Sequence, residues 1–268
     1  MKLNTKKQMY ALALTAVAGA LPGLAQATTI AGVTFASGIV LKIGTLYEGN
    51  VATGYTTPIT AAGQELGGVG IVDAIKDANG NTVWQNDNNG TELTFTFGGF
   101  IANAPTAGPP IGINFSGGFV NFFTGTGATN DFNVTTIATA LATAGNGTPW
   151  LNLVGGDTGV VCAGPVPCTL QSVILSGSLN SIGSGVGNGF LEVTAGPGAA
   201  NSAFDTNGIG GGLHDFALGS SFNSAGGNGL FAAGGSFDLR GNAVPEPTTL
   251  ALLGLGLLGF GVSASRRR

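Results

Sequence analysis

The sequence predicts an all-β body, a single antiparallel sandwich or jelly-roll-like domain with one short helix, set between apolar terminal segments. Three observations lead there. Glycine supplies 49 of 268 residues, far above an ordinary share of about 7%, and it disfavours helix throughout. Apolar residues still make up 43% and include 16 phenylalanines, enough for a packed core and too many for simple disorder. Short β-branched and aromatic runs are separated by Gly, Asn and Thr, the composition of strands and turns.

In chain order, strands are expected over residues 32–44, 111–123, 150–154, 169–175, 190–194 and 235–239. The clearest local pattern lies between the first two. GIVDAIK runs to Asn79-Gly80, TVWQ follows, and Asn89-Gly90 leads into TELTFTF. Asn-Gly favours the type I′ hairpin turn, and Leu93, Phe95 and Phe97 alternate with Thr94 and Thr96 at the period of a half-buried strand. A three-stranded antiparallel meander is the reading. Eight or more short strands suggest a sandwich or jelly roll. Residues 135–144 break the pattern: Ile137 and Leu141 are one helical turn apart and Gly145 offers a stop. FGGF at Phe97 and SGGF at Ser116 are alike, but two copies make no repeat architecture.

The two ends read as processing signals. Lys2, Lys6 and Lys7 form a basic start, an apolar stretch follows from Tyr10 to Leu21, and Ala25-Gln26-Ala27 has the small-x-small form of a signal peptidase site, so the mature chain would begin at Thr28. The other end, VPEPTTLALLGLGLLGFGVSASRRR, has three parts in fixed order. Val244, Pro245, Glu246 and Pro247 form an extended motif, because proline removes backbone donors and keeps a helix from starting before it. Residues 248–265 would span about 27 Å as a helix, close to the roughly 30 Å hydrocarbon core of a bilayer. Arg266, Arg267 and Arg268 favour the cytoplasmic side, so the body faces outward. The division is 1–27 signal peptide, 28–243 glycine-rich β domain and 244–268 terminal signal.

This motif, apolar helix and basic tail resemble the PEP-CTERM sorting signal of Gram-negative bacterial surface proteins. The resemblance implies an exosortase as processing partner, a transient inner-membrane anchor, and delivery to the cell surface or extracellular matrix after signal peptidase and the secretion machinery have acted. Glycosylphosphatidylinositol signals also end in apolar tails, but they lack the terminal arginines.

With both signals removed, Lys42, Lys76 and Arg240 face thirteen carboxylates between Thr28 and Pro247, a net charge of −10. That argues against nucleic acid, which requires clustered Lys and Arg to displace counterions. Cys162 and Cys168, in CAGPVPC, read as a local disulfide in an exported protein; the spacing and the single histidine, His214, are poor for zinc.

No catalytic set and no cofactor site stand out. His214 is flanked by Asp215, which in an extended strand would point elsewhere, and there is no Gly-x-Ser-x-Gly. A glycosidase needs only two suitably spaced carboxylates, and no pair among the thirteen is distinguished. Gly254, Gly256 and Gly259 match a dinucleotide pattern, but inside the apolar tail with no preceding strand. Asp77, Asn79 and Asn81 echo an EF-hand, yet Gly80 and Thr82 break that loop, and the hairpin explains them better. Trp84 and Trp150 could stack on sugars, though burial is the commoner role.

NGNTVWQNDNNGTELTFTFGGF, with FLEVTAGPGAANSAFDTNG, GSSF and GGSFDLRGNAVPEP later in the chain, resembles a subgroup of PEP-CTERM proteins associated with floc formation. That implies a secreted protein helping cells and exopolysaccharide aggregate. Three classes therefore stay open for the body, in this order: a structural surface or matrix protein, a carbohydrate- or ion-binding module, and a secreted hydrolase. The Ala-Gln-Ala site yields a direct prediction. N-terminal sequencing of exported protein should begin at Thr28, and a start at Met1 would defeat the cleavage assignment.

Overall fold

In the computed structural model the described residues are 28–162 and 165–244. They begin with a hairpin, β1 (Thr28–Ile30) and β2 (Val33–Phe35), followed by β3 (Gly38–Asn50), β4 (Glu65–Ile71), β5 (Ala74–Asp77) and β6 (Thr82–Gln85). Next come β7 (Thr91–Ala102), β8 (Ile111–Thr126), helix α1 (Ile137–Ala144) and β9 (Thr148–Gly156). β10 (Leu170–Ser178), β11 (Ser181–Val193), a helical turn Asn201–Phe204, β12 (Phe216–Asn223) and β13 (Ala233–Asn242) complete the chain order.

These strands form a closed antiparallel barrel rather than a sandwich or jelly roll. The ring runs β3-β4-β7-β8-β10-β11-β12-β13, and β13 returns to pair with β3, from Ala233 opposite Glu48 to Asn242 opposite Gly38. Sequence periodicity shows which strands have a buried face but not whether the last meets the first. Closure pairs the backbone donors and acceptors that two open sheets would leave along their edges.

Two of the eight positions in the ring are each filled by a pair of strands. β9 and β10 both lie antiparallel to β8 and β11, with β9 beside Phe119–Thr124 of β8 and β10 beside Ile111–Phe115. They are one interrupted wall strand, and residues 157–169 loop out between its halves. β4 and β5 likewise share β3, at Thr45–Asn50 and Ile39–Lys42 respectively. This corrects the meander. GIVDAIK is broken at Val72 and Asp73, so β5 pairs with β6 while β7 joins β4.

The turns separate in the same way. Asn89 and Gly90 both have positive φ and Thr91 N–H donates to Asn88 C=O at 3.2 Å, as a type I′ turn requires. At Asn79-Gly80 only Gly80 is positive, so that turn is not type I′. The Asp77 carboxylate explains the difference, because it accepts from the Asn79 and Asn81 N–H groups at 2.9 and 2.8 Å and from Asn81 Nδ2. Those bonds, the Asn81 side chain first, hold its pKa below the usual carboxylate range.

The two Gly-Gly-Phe segments prove to be opposite sides of one kink. Gly98 pairs with Phe119 and Phe100 with Gly117, so both glycine pairs meet across β7 and β8. Gly99, Gly117 and Gly118 have positive φ, a conformation for which glycine carries no steric penalty. Thr169 Oγ1 donates to Gly117 C=O at 2.6 Å and Gly99 N–H donates to Glu65 Oε1 at 2.7 Å, fixing the bend where β10 takes over from β9 beside β8.

Large side chains fill the interior. Phe95, Phe115, Phe122 and Leu41 are buried in one continuous core, each contributing roughly 1.5–3 kcal/mol of transfer free energy. The bulk of Phe95 is accommodated by the bare backbone of Gly70 facing it, and that of Phe222 by Gly185. The end of the barrel near Gly38 and Asn242 is plugged. There β1 and β2 turn back through Ala31 and Gly32, Trp150 Nε1 donates to Ile30 C=O at 3.1 Å, and Phe35, Trp150, Phe204 and Phe216 pack ring against ring. Lys42, Asn121, Gln171, Asn188 and Asp238 alternate in sequence with the core-facing residues and lie outside, on a wall that also exposes Phe119, Val154 and Val186.

Helix α1 starts where the Thr136 side chain accepts from Thr139 N–H at 3.0 Å. It packs on the outer wall in a separate cluster with Val69, Tyr47 and Phe231, and Thr94 Oγ1 donates to Ala144 C=O at 2.8 Å. Among the described residues no helix is long and apolar enough to cross a membrane; the predicted span, 248–265, lies outside them.

The glycine-for-phenylalanine fit carries a prediction. Gly70→Val would drive its side chain into the Phe95 ring and Thr45 C=O, so chemical denaturation should show a loss of about 1–3 kcal/mol, the usual cost of overpacking. Gly219→Ala enters open space at ordinary φ and should stay within about 0.5 kcal/mol of the parent.

Candidate functional site

Two regions are candidates for functional chemistry: the junction with the C-terminal motif, and the barrel interior at the opposite end. At the junction β13 ends at Asn242, Ala243 N–H donates to Ser37 C=O at 2.6 Å, and Val244 N–H donates to Ala203 C=O at 2.7 Å. The sequence motif Val244, Pro245, Glu246, Pro247 therefore begins on a residue anchored to the plugged end, with no spacer after the barrel. Pro245, Glu246 and Pro247, residues 248–265, and Arg266, Arg267 and Arg268 lie outside the described residues, as do Ala25 and Ala27 of the expected signal peptidase site. Thr28 is the first residue of β1 and pairs with Phe35.

Cys162 and Cys168 are joined by a disulfide with their Cα atoms 5.0 Å apart. The bond closes the outer excursion between β9 and β10, where Cys168 N–H donates to Val160 C=O at 2.7 Å and Thr158 Oγ1 donates to Cys168 C=O at 2.8 Å. It tethers a surface loop, and neither cysteine is among the residues lining the interior cavity.

The polar residues singled out in the sequence separate in space. His214 stacks on Phe190 with ring centroids 4.4 Å apart, and its Nδ1 meets Glu192 Oε1. Asp215 points the other way. It is buried and accepts from the Val193, Thr206 and Asn207 N–H groups at 2.8, 2.7 and 2.6 Å, which fixes the loop before β12. Trp84 and Trp150 are 1% and 0% exposed, so neither ring presents a face to a sugar. Among the described residues no three His, Cys, Asp or Glu side chains converge as a metal site.

Sequence reasoning missed Glu48. The alternation of Ile39, Leu41 and Ile43, extended regularly, places Thr45 and Tyr47 inside and Glu48 outside. A bulge reverses it. Phe237 pairs with Ile43 but Gly235 with Leu46, so β3 carries one extra residue at Gly44 and Thr45. Gly44 leaves room there for the Asp73 carboxylate, which a Cβ would displace. Asp73 N–H in turn donates to Lys42 C=O at 2.8 Å, and the Gly44 N–H bonds to the Asp73 carboxyl, partly offsetting the burial that raises its pKa.

Beyond the bulge Leu46 and Glu48 line an apolar cavity of about 80 Å³ with Phe95, Phe97, Phe100 and Phe237. Ser172 and Ser220 supply the other polar side chains of its lining. Glu48 is partly solvent-accessible, yet protein surrounds its carboxyl, and desolvation raises its pKa from 4.5 to about 7. Among the described residues it has no hydrogen-bond or ion-pair partner. The only chemistry this arrangement offers is a single desolvated carboxyl in a greasy chamber. It can exchange a proton near neutrality and accept a donor from an apolar guest.

The raised pKa has a definite sign for stability. Between about 4.5 and 7 the folded state holds the Glu48 proton that the unfolded state has released, so this group's contribution is present below 4.5 and lost as pH rises through 7. Denaturation of Glu48→Gln should lack that component of the decline, and the variant should exceed the parent in stability at pH 8. Equal pH profiles would place the Glu48 carboxyl in water.

The comparisons with known proteins bear on the other region. No curated protein and no solved structure matches the chain. Residues 243–268 match the family model of the PEP-CTERM protein-sorting motif. That match begins one residue after β13 ends and takes in Val244, the last described residue, which is anchored to the barrel. The chain thus carries, at residues 243–268, the PEP-CTERM protein-sorting motif that marks an exosortase substrate.

Proposed function

We propose that this protein is an exported cell-surface or extracellular-matrix component, released from a transient inner-membrane anchor by an exosortase, whose barrel contributes to exopolysaccharide-associated aggregation, floc or biofilm formation. The observation that carries the reading is the sorting motif joined without a spacer to the plugged end of a closed barrel. A body needs a signal of this kind only if its place of work lies beyond the inner membrane. In this reading signal peptidase and the secretion machinery remove residues 1–27, the apolar stretch 248–265 holds the chain in the membrane, and Arg266, Arg267 and Arg268 keep the tail on the cytoplasmic side.

The outer wall supports contact with a neutral, hydrated polymer. The Ser176 and Ser184 hydroxyls are 2.8 Å apart, those of Ser221 and Ser236 are 3.2 Å apart, and Asn188 Nδ2 lies 3.5 Å from Gln171 Oε1. Hydroxyls and amides of this kind exchange hydrogen bonds with sugars without requiring charge on either side. The excess of carboxylates disfavours nucleic acid and anionic membrane surfaces. No catalytic role is assigned, since His214 is engaged by Glu192 and Phe190 while Asp215 serves three backbone donors.

The decisive variant replaces Pro245, Glu246 and Pro247 with alanine. Cell fractionation and C-terminal mass analysis, with and without the exosortase, should show unprocessed chain in the inner membrane and little at the surface, while the barrel's circular dichroism is unchanged. Parental processing would reduce the motif to a linker. Loss of surface delivery with aggregation intact would remove the matrix role and leave the sorting assignment standing.

A further inference from the structure

We propose that the interior of the barrel is a binding site for a short apolar amine, its ammonium group against the Glu48 carboxylate and its hydrocarbon among the cavity's phenylalanines. The inference does not rest on the sorting assignment or the matrix role.

The first support is chemical asymmetry. Phe95, Phe97, Phe100, Phe115, Leu218 and Phe237 dominate the lining, Ser172 and Ser220 are neutral, and among the described residues Glu48 is the sole titratable side chain in it. A buried carboxyl without an internal partner costs stability, and a core position on a strand would ordinarily be filled by an aliphatic residue. Here a built-in bulge at Gly44 and Thr45 turns that carboxyl inward.

Charged groups on the packed elements lie elsewhere. In the ladders Glu48 is flanked by Ala233 of β13 and Gly68 of β4. On β3 and β13, Lys42 and Asp238 pair with each other at 2.5 Å, and Arg240 is an exposed residue of β13. On β4, Glu65 accepts from Gly99 N–H at 2.7 Å. In the segment after β3, Tyr55 packs against Phe231 in the cluster that includes α1. None of these side chains lines the cavity, so a guest cation is the available partner for the Glu48 charge.

Amines fit better than the alternatives. A carboxylic acid would bring two acids together and require one to stay protonated. An alcohol would offer a hydrogen bond but no charge to offset desolvation. An ammonium does both, since hydrogen bonds to an ionised acceptor are about twice as strong as neutral ones. Size limits the guest as well: about 80 Å³ is below the roughly 150 Å³ of an apolar cavity that admits benzene, so a chain of a few carbons is the match.

The geometry also keeps the site available during sorting. Glu48 pairs with Ala233 at one end of the β3–β13 ladder, whereas Gly38 and Asn242, next to the signal junction, pair at the other. Pro58, Ile59 and Ala232 complete the lining on the Glu48 side. The chamber therefore lies away from the plugged end that leads to the membrane.

The test is calorimetry on exported protein purified from cells expressing the full chain, with n-butylamine, n-butanol and butyrate as probes. Butylamine should bind at least tenfold more tightly than butanol or butyrate at about pH 8, and its affinity should fall as pH drops through the Glu48 range near 7. Glu48→Gln should erase the preference for the amine. Ser220→Leu should exclude all three probes while circular dichroism retains the barrel spectrum. Absence of butylamine binding to the parent, equal affinity for butanol, or an amine preference that survives Glu48→Gln would overturn the proposal. The parent's own pH dependence decides the matter if Glu48→Gln fails to fold: amine affinity independent of pH would exclude Glu48 as the partner.

Discussion

Closure of β13 onto β3 is the constraint on which the rest of this structure depends. A sheet of short, glycine-rich strands has weak side-chain packing along much of its length, and an open edge would invite pairing with other chains. The ladder from Ala233–Glu48 to Asn242–Gly38 removes both edges at once. It then imposes its own requirement, because an eight-stranded ring encloses a space that side chains must fill or leave as a cavity. Phe95, Phe100, Phe115, Phe122, Phe222 and Phe237 answer that requirement. Bare glycine backbone opposite Phe95, Phe100 and Phe222 lets those rings occupy the middle without pushing the walls apart.

The same closure makes the two ends of the barrel different. At one end the β1–β2 hairpin, Phe35, Trp150 and Phe204 form a plug, and the chain leaves through Val244 beside it. At the other, Phe95, Phe97, Phe100 and Phe237 line a chamber that Glu48 borders. Sorting chemistry and interior chemistry are thereby separated along the barrel axis. A tail held in a membrane does not have to cover the chamber, and a guest in the chamber does not have to disturb the tail.

Glycine has several distinct jobs in this chain, and they were legible to different degrees. Turn glycines announced themselves through their neighbours, as Asn89-Gly90 did. Wall glycines gave no such signal. β11 contains the run Gly183, Gly185, Gly187 and Gly189, which reads as loop by propensity and was anticipated only from Phe190 onward. It is strand because β10 and β12 pair with it on both sides, and tertiary pairing outweighs intrinsic preference. β12 escaped notice for a related reason: Phe216, Leu218, Ser220 and Phe222 alternate, but a serine inside the barrel disguises the period.

The sequence by itself determined the address and the class. The sorting motif at residues 243–268 is linear, readable from proline placement, hydropathy and charge, and needs no fold to be recognised. All-β character followed from composition, and α1 from the spacing of Ile137 and Leu141 with a stop at Gly145. Only the tertiary structure decided that the strands close, that β9 and β10 share one wall position, and that Glu48 faces inward. The physical reason is common to all three. Side-chain period is a local property, but one bulged residue reverses every orientation after it, and pairing between residues 185 to 204 positions apart is set by the whole ring. Gly44 and Asp73 place that reversal where β4 passes into β5, a contact no local pattern in either segment contains.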